Sequence, residues 1–125
     1  KQGVPHILAN ACWGTDKPWT AKWNSKAIPF THFTDRDGQW ADKFHVWRMD
    51  WDEQSIRLYL DDELLNEISQ AEAVNGKLGN GEQPFKKPQY LLLNLALGGD
   101  NGGEIDDSAL PMKYFIDYVR VYQKK

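Results

Sequence analysis

The stretch Tyr90–Gly98 (YLLLNLALG) decides how this chain folds, because its residues alternate between two kinds of side chain. Successive side chains of a β-strand point to opposite faces, so Leu91, Leu93, Leu95 and Leu97 share one face and predict a core contact. The other face carries Asn94 beside small residues, which leaves room for a ligand. An amide both donates to and accepts from hydroxyl groups, so Asn94 is a candidate binding residue. A solvated outer face is the alternative.

The same two-residue period dominates the rest of the chain, and no segment sustains a helical period. It predicts seven strands: Ile7–Trp13, about Ser25–Phe30, Phe44–Trp51, Ser55–Leu60, Leu64–Ile68, Tyr90–Gly98 and Lys113–Tyr122. Short acidic connections join the middle three into an antiparallel meander. Strands this short and this regularly spaced predict an all-β fold, an antiparallel β-sandwich or jelly roll.

The meander also predicts its own core face. Ile56, Leu58 and Leu60 should point inward from one strand, and Trp47, Met49 and Trp51 from its neighbour, with His45 at the edge as a hydrogen-bonded structural residue.

Length and charge restrict the classes of function. A chain of 125 residues forms one domain at most, and it is long enough to bury a core. A net charge of −3 argues against nucleic acid, which requires a clustered basic surface. Apolar runs are far shorter than the roughly 20 residues of a membrane span. We therefore expect neither partner.

Cysteine and aromatic content add two expectations. Cys12 is the one cysteine, so no internal disulfide is possible, and we expect a small buried hydrophobic residue. The chain has six Trp, five Tyr and five Phe at a mean hydropathy of −0.67. Indole rings stack on the apolar faces of sugars, so this content is typical of a sugar-binding cleft; core packing is the alternative.

The two C-terminal stretches, Tyr90–Gly99 and Tyr114–Gln123, resemble the closing strands of the laminarinase-like endo-β-glucanases of glycoside hydrolase family 16. The likeness continues through Phe44–Trp51 and Ser55–Asp62. The resemblance implies a concanavalin A-like jelly roll and retaining cleavage of β-1,3- or mixed-linkage β-glucan. The alternatives are a non-catalytic, lectin-like carbohydrate-binding sandwich and, less favoured, a purely structural β-domain.

Members of that family carry their catalytic carboxylates in an E-x-D-x-x-E strand before all of these segments, and these residues contain no such motif. The resemblance therefore implies that residues 1–125 are the C-terminal portion of a single β-sandwich domain, contributing core and cleft wall but no catalytic residue. The start at Lys1, with no signal-peptide features, suits a partial chain. An incomplete sandwich leaves strand edges and an apolar face uncovered, so we expect the chain to need its N-terminal half or another chain.

Substrate contacts are also implied by the resemblance. The segment Ile7–Gly14 resembles the strand that follows the catalytic one, whose polar and aromatic side chains face the glucan. By that match Asn10 and Trp13 are substrate-binding candidates, with Trp19 and Trp23 in reserve. Asn10 and Trp13 are three residues apart, so a β-bulge, or a position of Trp13 in the loop, is needed to bring them to one face.

The segment Glu104–Asp107 begins like the catalytic strand but continues with Ser108 and Ala109, so the second glutamate is missing. Retaining glycosidases need two carboxyl groups about 5–5.5 Å apart. We therefore expect a loop here and not a catalytic site.

Asp117 shares a face with residues predicted to be core, Phe115, Val119 and Val121. A carboxylate there must be paired or bind a cation. The resemblance implies a structural calcium ion held partly by Asp117, with other oxygens from outside these residues; pairing with backbone amides or an Arg is the alternative.

No cofactor is required. The resemblance also implies β-glucan as the partner and a secreted, periplasmic or cell-surface location.

Overall fold

The computed structural model describes residues 3–125, which fall into two compact units divided between Gln89 and Tyr90. The first unit contains five strands: β1 (His6–Gly14), β2 (Ala21–Pro29), β3 (Trp47–Trp51), β4 (Ser55–Leu60) and β5 (Glu63–Ser69). It also contains a short helix, α1 (Thr31–Thr34), and three single 3₁₀ turns at Trp40–Asp42, Lys77–Gly79 and Pro84–Lys86.

The strands form two antiparallel sheets, β1–β2 and β3–β4–β5. The predicted antiparallel all-β class and the central meander are both confirmed. A register shift between Leu58 and Tyr59 marks a bulge in the β4–β5 pair. Strand β2 begins four residues before the predicted Ser25, and β3 begins at Trp47 instead of Phe44.

The turn between β4 and β5 explains where β3 begins. Asp61 and Asp62 both have positive φ, at 48° and 67°, which is the geometry of a tight two-residue hairpin. The Val46 amide donates to Asp61 Oδ1 at 2.9 Å, so it bonds a turn side chain and not a ladder carbonyl.

His45 has the structural role that its position predicted. Its Nδ1 lies 2.6 Å from Asp61 Oδ2, its Nε2 lies 2.6 Å from the Trp40 carbonyl oxygen, and its ring stacks on Trp40. Both ring nitrogens are thus engaged in holding the segment before β3 against the β4–β5 turn.

The core lies between the two sheets. Ala9 and Trp13 of β1 are buried, as are Ile56, Leu60 and Ile68 of the second sheet. Phe85 packs against the part of this core formed by Trp13, Ile56 and Ile68, with its ring at 86° to that of Trp13. The predicted inward face of β4 is therefore confirmed.

Asn66 joins the sheets through a buried amide. The residue is only 5% exposed, and its Nδ2 donates to the Ala9 carbonyl at 2.8 Å and to Asn24 Oδ1 at 2.9 Å. Buried polar groups are costly unless they are hydrogen-bonded, and here both donors are satisfied.

The prediction for β3 is half right: the side chains lie on the core-facing side of the sheet, as predicted, but they are not buried. Trp47, Met49 and Trp51 are paired across the ladder with Leu60, Leu58 and Ile56, so they lie on the core-facing side. They are nevertheless 57%, 51% and 42% exposed. The physical reason is that the β1–β2 sheet packs mainly over β5, which lies two strands away from β3.

The second unit, Tyr90–Lys125, contains a short helix, α2 (Gly99–Gly102), and a 3₁₀ turn at Asp107–Ala109. Contrary to prediction, Tyr90–Gly98 and Lys113–Tyr122 have no sheet partner among the described residues 3–125. The expected burial of the leucine face was also wrong, because Leu91, Leu93, Leu95 and Leu97 are exposed. A strand requires a neighbour to pair its backbone groups and to cover its apolar face, and the described residues of the second unit supply neither.

Two smaller points complete the fold. Cys12 was expected to be buried but is exposed, because it lies on the face of β1 opposite to Trp13. Among residues 3–125, no helix combines the length and apolar character required to cross a membrane.

We predict that Asn66→Asp destabilises the first unit by at least about 1–3 kcal/mol, because the substitution replaces a donor by an acceptor facing two acceptors. Asn66→Ala should cost about as much, since it leaves the Ala9 carbonyl unpaired. Urea denaturation measures both, with the exposed Leu64→Ala on the same strand as the control. Unchanged midpoints for both Asn66 variants would contradict this role.

A second prediction concerns Glu63, which accepts from His32 Nε2 at 2.6 Å and from Arg36 Nη1 at 2.9 Å. The His32 bond, followed by the Arg36 bond, holds the pKa of Glu63 below its ordinary value of 4.5, against the opposing effect of partial burial. A lowered carboxyl pKa stabilises the fold above the ordinary value, and this contribution is lost as pH falls through the lowered pKa.

Glu63→Gln should therefore lower stability at pH 7 by no more than about 1 kcal/mol, since the pair is partly exposed, and the difference should shrink at acid pH. Melting temperatures from pH 7 to pH 3 measure the effect, with Glu53→Gln as an exposed control. A difference that stays constant across this range would rule out the linkage.

Candidate functional site

The outer face of the β1–β2 sheet is the candidate site, because its inner face packs on β5. The register places Leu8, Asn10 and Cys12 of β1 opposite Ala27, Ser25 and Trp23 of β2. Since directly paired residues share a face, all six side chains lie on one side of the sheet. Trp23 is 59% exposed and Leu8 and Cys12 are also exposed, whereas Asn10 is half-buried. The face therefore combines one large aromatic ring with two small polar side chains, Asn10 and Ser25, beside the apolar Leu8 and Ala27.

Asn10 is held in position by the neighbouring strand. Its Oδ1 accepts from the Lys26 backbone amide at 3.2 Å. Within the described part of the chain, no protein group accepts from its Nδ2, so two donors remain for a ligand. A fixed amide beside an exposed indole can recognise a molecule with one apolar face and hydroxyl groups at its rim.

Trp13 does not join this face. Strand β1 pairs with β2 in unbroken register from His6 to Gly14, so the bulge or loop position required to bring Trp13 beside Asn10 is absent. The indole points into the core, is 6% exposed and meets Phe85 with ring centroids 6.4 Å apart. The geometry shows that Trp13 packs in the core, whereas a contact of Trp13 with substrate stays a prediction.

Trp23 was only a secondary candidate in the sequence analysis. In the structure it is the tryptophan that shares a face with Asn10. The register of the hairpin decides this, because Trp23 pairs with Cys12. The turn signal near Pro18 could have located the hairpin, but the register depends on where both strands end.

Asn94 and Asp117 both lie in the second unit and are exposed. Phe115, Val119 and Val121 are exposed as well among the described residues, so the expected core around Asp117 was wrong; the alternation that predicted it does not by itself supply a covering layer. No group of three or more His, Cys, Asp and Glu suited to a metal occurs among the described residues. Calcium prefers 6–8 oxygens, so the described residues do not by themselves fit the ion. The roles of Asn94 and Asp117 stay predictions.

The acidic stretch near Glu104 is a capped turn. Asp106 Oδ1 accepts from the Ser108 hydroxyl at 2.6 Å and from the Ser108 amide at 2.9 Å. These two bonds, the hydroxyl first, lower the pKa of Asp106. A carboxylate that is ionised and committed to a turn is a poor proton donor at neutral pH. This geometry agrees with the expectation of a loop.

Comparison with known proteins gives one family. The family model described as Glycosyl hydrolases family 16 matches residues 19–120. Beta-glucanase of Rhodothermus marinus is 34% identical over 82 residues, which are 64% of this chain and 29% of that protein. Beta-1,3-glucan-binding protein of Penaeus monodon is 32% identical over 109 residues, 76% of this chain and 30% of that protein.

Glucan endo-1,3-beta-glucosidase A1 of Niallia circulans is 34% identical over 93 residues, 71% of this chain and 14% of that protein. This chain thus spans less than a third of the length of these curated relatives. No solved structure gave a significant match.

We predict opposite outcomes for the two tryptophans of the hairpin. Trp13→Ala should destabilise the fold by about 3–5 kcal/mol, because it removes a buried ring and leaves a cavity. Trp23→Ala should change stability by no more than about 0.5 kcal/mol, because the ring is exposed. Urea titrations of the two variants test this directly. Equal losses would mean that the two faces of β1–β2 have been assigned wrongly.

Proposed function

Because this chain belongs to glycosyl hydrolases family 16, we propose that it is part of a retaining endo-β-glucanase that acts on β-1,3- or mixed-linkage β-glucan. The observation that carries the proposal is the family match over residues 19–120. Two relatives named as glucan hydrolases support the substrate class.

The chemistry assigns a limited role to these residues. Retention requires a nucleophile and an acid/base carboxyl about 5–5.5 Å apart, acting through a glycosyl-enzyme intermediate. The 125 residues contain no E-x-D-x-x-E motif. We therefore propose that they form the C-terminal portion of one sandwich domain, and that both catalytic carboxyls come from another part of the polypeptide. The short coverage of the relatives supports this division.

The outer face of β1–β2 is then a wall of the glucan-binding cleft. A pyranose ring has an apolar face that can lie on the Trp23 indole, and its equatorial hydroxyl groups can accept from the Asn10 amide. Stacking and hydrogen bonding act on different parts of one sugar, so the pair can both hold and orient it. Asn94 and Trp13 remain candidate contacts of the same kind, with less support from their surroundings.

Three finer assignments belong to this proposal. A polysaccharide substrate outside the cell implies a secreted, periplasmic or cell-surface enzyme. For the structural calcium ion, Asp117 would supply one oxygen ligand and residues outside this stretch the others. The uncovered core face of β3 supports a requirement for the N-terminal half or another chain.

A non-catalytic glucan-binding module is the alternative, and the relative from Penaeus monodon favours it by its name. The encoded sequence upstream of Lys1 separates the two functions. A strand with the E-x-D-x-x-E motif there supports the hydrolase, and its absence supports the binding module.

We predict that the full-length protein releases reducing ends from laminarin or lichenan, and that NMR of the early products shows the β-anomer first, as retention requires. Glu104→Gln should leave this activity unchanged, because Glu104 lies in the capped loop. The 125 residues expressed alone should release no reducing sugar.

Binding of laminarin by the full-length protein without any hydrolysis would establish the alternative. Loss of activity in Glu104→Gln, with unchanged stability, would show that the loop is catalytic after all.

A further inference from the structure

The turn between β1 and β2 displays a tryptophan in a strained conformation. Trp19 is fully exposed, at 105% of the reference area, and its φ is 58°. Bulky residues rarely adopt positive φ, because the side chain crowds the backbone. A glycine would satisfy this turn at no such cost.

No stacking contact compensates for this backbone strain, since Trp19 stacks on no aromatic ring or cation among the described residues. Strained residues with no packing role are typical of binding and catalytic sites, where the geometry serves a ligand.

A network of hydrogen bonds holds the turn in one shape. Thr15 Oγ1 donates to the Thr20 carbonyl at 2.9 Å and accepts from the Lys17 amide at 3.2 Å, which closes the turn on itself. Asp16 Oδ1 accepts from the Lys77 amide at 2.6 Å, which ties the turn to the loop after β5.

That second loop is tied back to the end of β1. Gly14 donates to Asn75 Oδ1 at 2.8 Å, and Gly76 donates to the Gly14 carbonyl at 3.0 Å. A Cβ on Gly76 would lie 2.4 Å from the Thr15 carbonyl carbon, so only glycine permits this approach. Hydrogen bonds therefore tie the two loops together at the base of the turn that carries Trp19.

Between the loops lies an open depression of about 500 Å³. Trp19, Pro18 and Leu78 give it apolar surface, and Asn75 gives it an amide. Among residues 3–125 the Asn75 Nδ2 has no acceptor, so it is available to a ligand. Lys17 is the one charged residue of the lining. An apolar platform with an amide donor fits a neutral sugar ring.

We propose that Trp19 is a stacking platform for one pyranose ring of a longer glucan chain, at a distance from the Asn10 contact. The inference rests on the proposed function. Gly14 follows Asn10 by four residues on the same face of β1, which places the turn about 13 Å along the strand. A short oligosaccharide held at Asn10 would not reach Trp19, whereas a longer one would.

The test measures binding of laminaribiose and laminarihexaose to the full-length protein by calorimetry at low temperature, where turnover is slow. Trp19→Ala and Trp19→Gly should weaken hexaose binding about tenfold, which corresponds to about 1.4 kcal/mol, and leave biose binding unchanged. Trp19→Phe should retain most of the hexaose affinity. Trp19→Gly should also raise the urea midpoint, because it relieves the positive φ.

Asn10→Ala is the matched control and should weaken both ligands. Hexaose affinity that is unchanged in Trp19→Ala but reduced in Asn10→Ala would overturn the Trp19 platform and leave the proposed function intact. Equal weakening of biose and hexaose by Trp19→Ala would also overturn it, since the turn would then act through the Asn10 site. A wild-type protein that binds neither these sugars nor lichenan would overturn the proposed function itself.

Discussion

The buried amide of Asn66 is the contact on which the first unit depends. An apolar side chain at this position would pack the sheets together without fixing their alignment. The Asn66 donors instead require the Ala9 carbonyl and the Asn24 amide at defined places. This alignment decides the direction of every side chain in β1. Ala9 and Trp13 are turned inward, so Asn10 and Cys12 must face outward. The candidate binding face is therefore a consequence of a contact on the other side of the sheet.

The same alignment explains why apolar surface remains uncovered. Two strands of the first sheet can cover only part of the three-stranded sheet, and the core-facing side chains of β3 stay largely exposed. Exposed apolar patches of this kind mark interaction surfaces or ligand-binding grooves, and cover by further strands would be one such interaction. A two-stranded sheet is also marginal by itself. Both features support the proposal that further strands of the same domain complete the sandwich.

Local pattern was sufficient to predict the strands that pair with a neighbour in sequence. The alternation in Ser55–Leu60 gave both its bounds and its buried face, because β3 and β5 are joined to β4 by tight turns. The burial of Trp13 was missed because its partners are distant in sequence, Phe85 among them. The leucine face of Tyr90–Gly98 was predicted to be buried, but burial requires a partner that alternation does not supply. The positive φ of Trp19 could not be predicted from the sequence, because the usual signal for such a conformation is a glycine and this position has none.

The tryptophans show why composition alone could not decide between core and cleft. Trp13 is part of the core, and Trp40 stacks on Phe33 and His45 in the support of β3. Trp47 and Trp51 face toward a core that does not cover them. Only Trp23 and Trp19 are presented outward from the β1–β2 hairpin, one on its flat face and one at its turn. The proposed sugar-binding role therefore concerns these two residues, which are carried by a paired strand and by a hydrogen-bonded turn. The high aromatic content has at least three separate physical causes in this one chain.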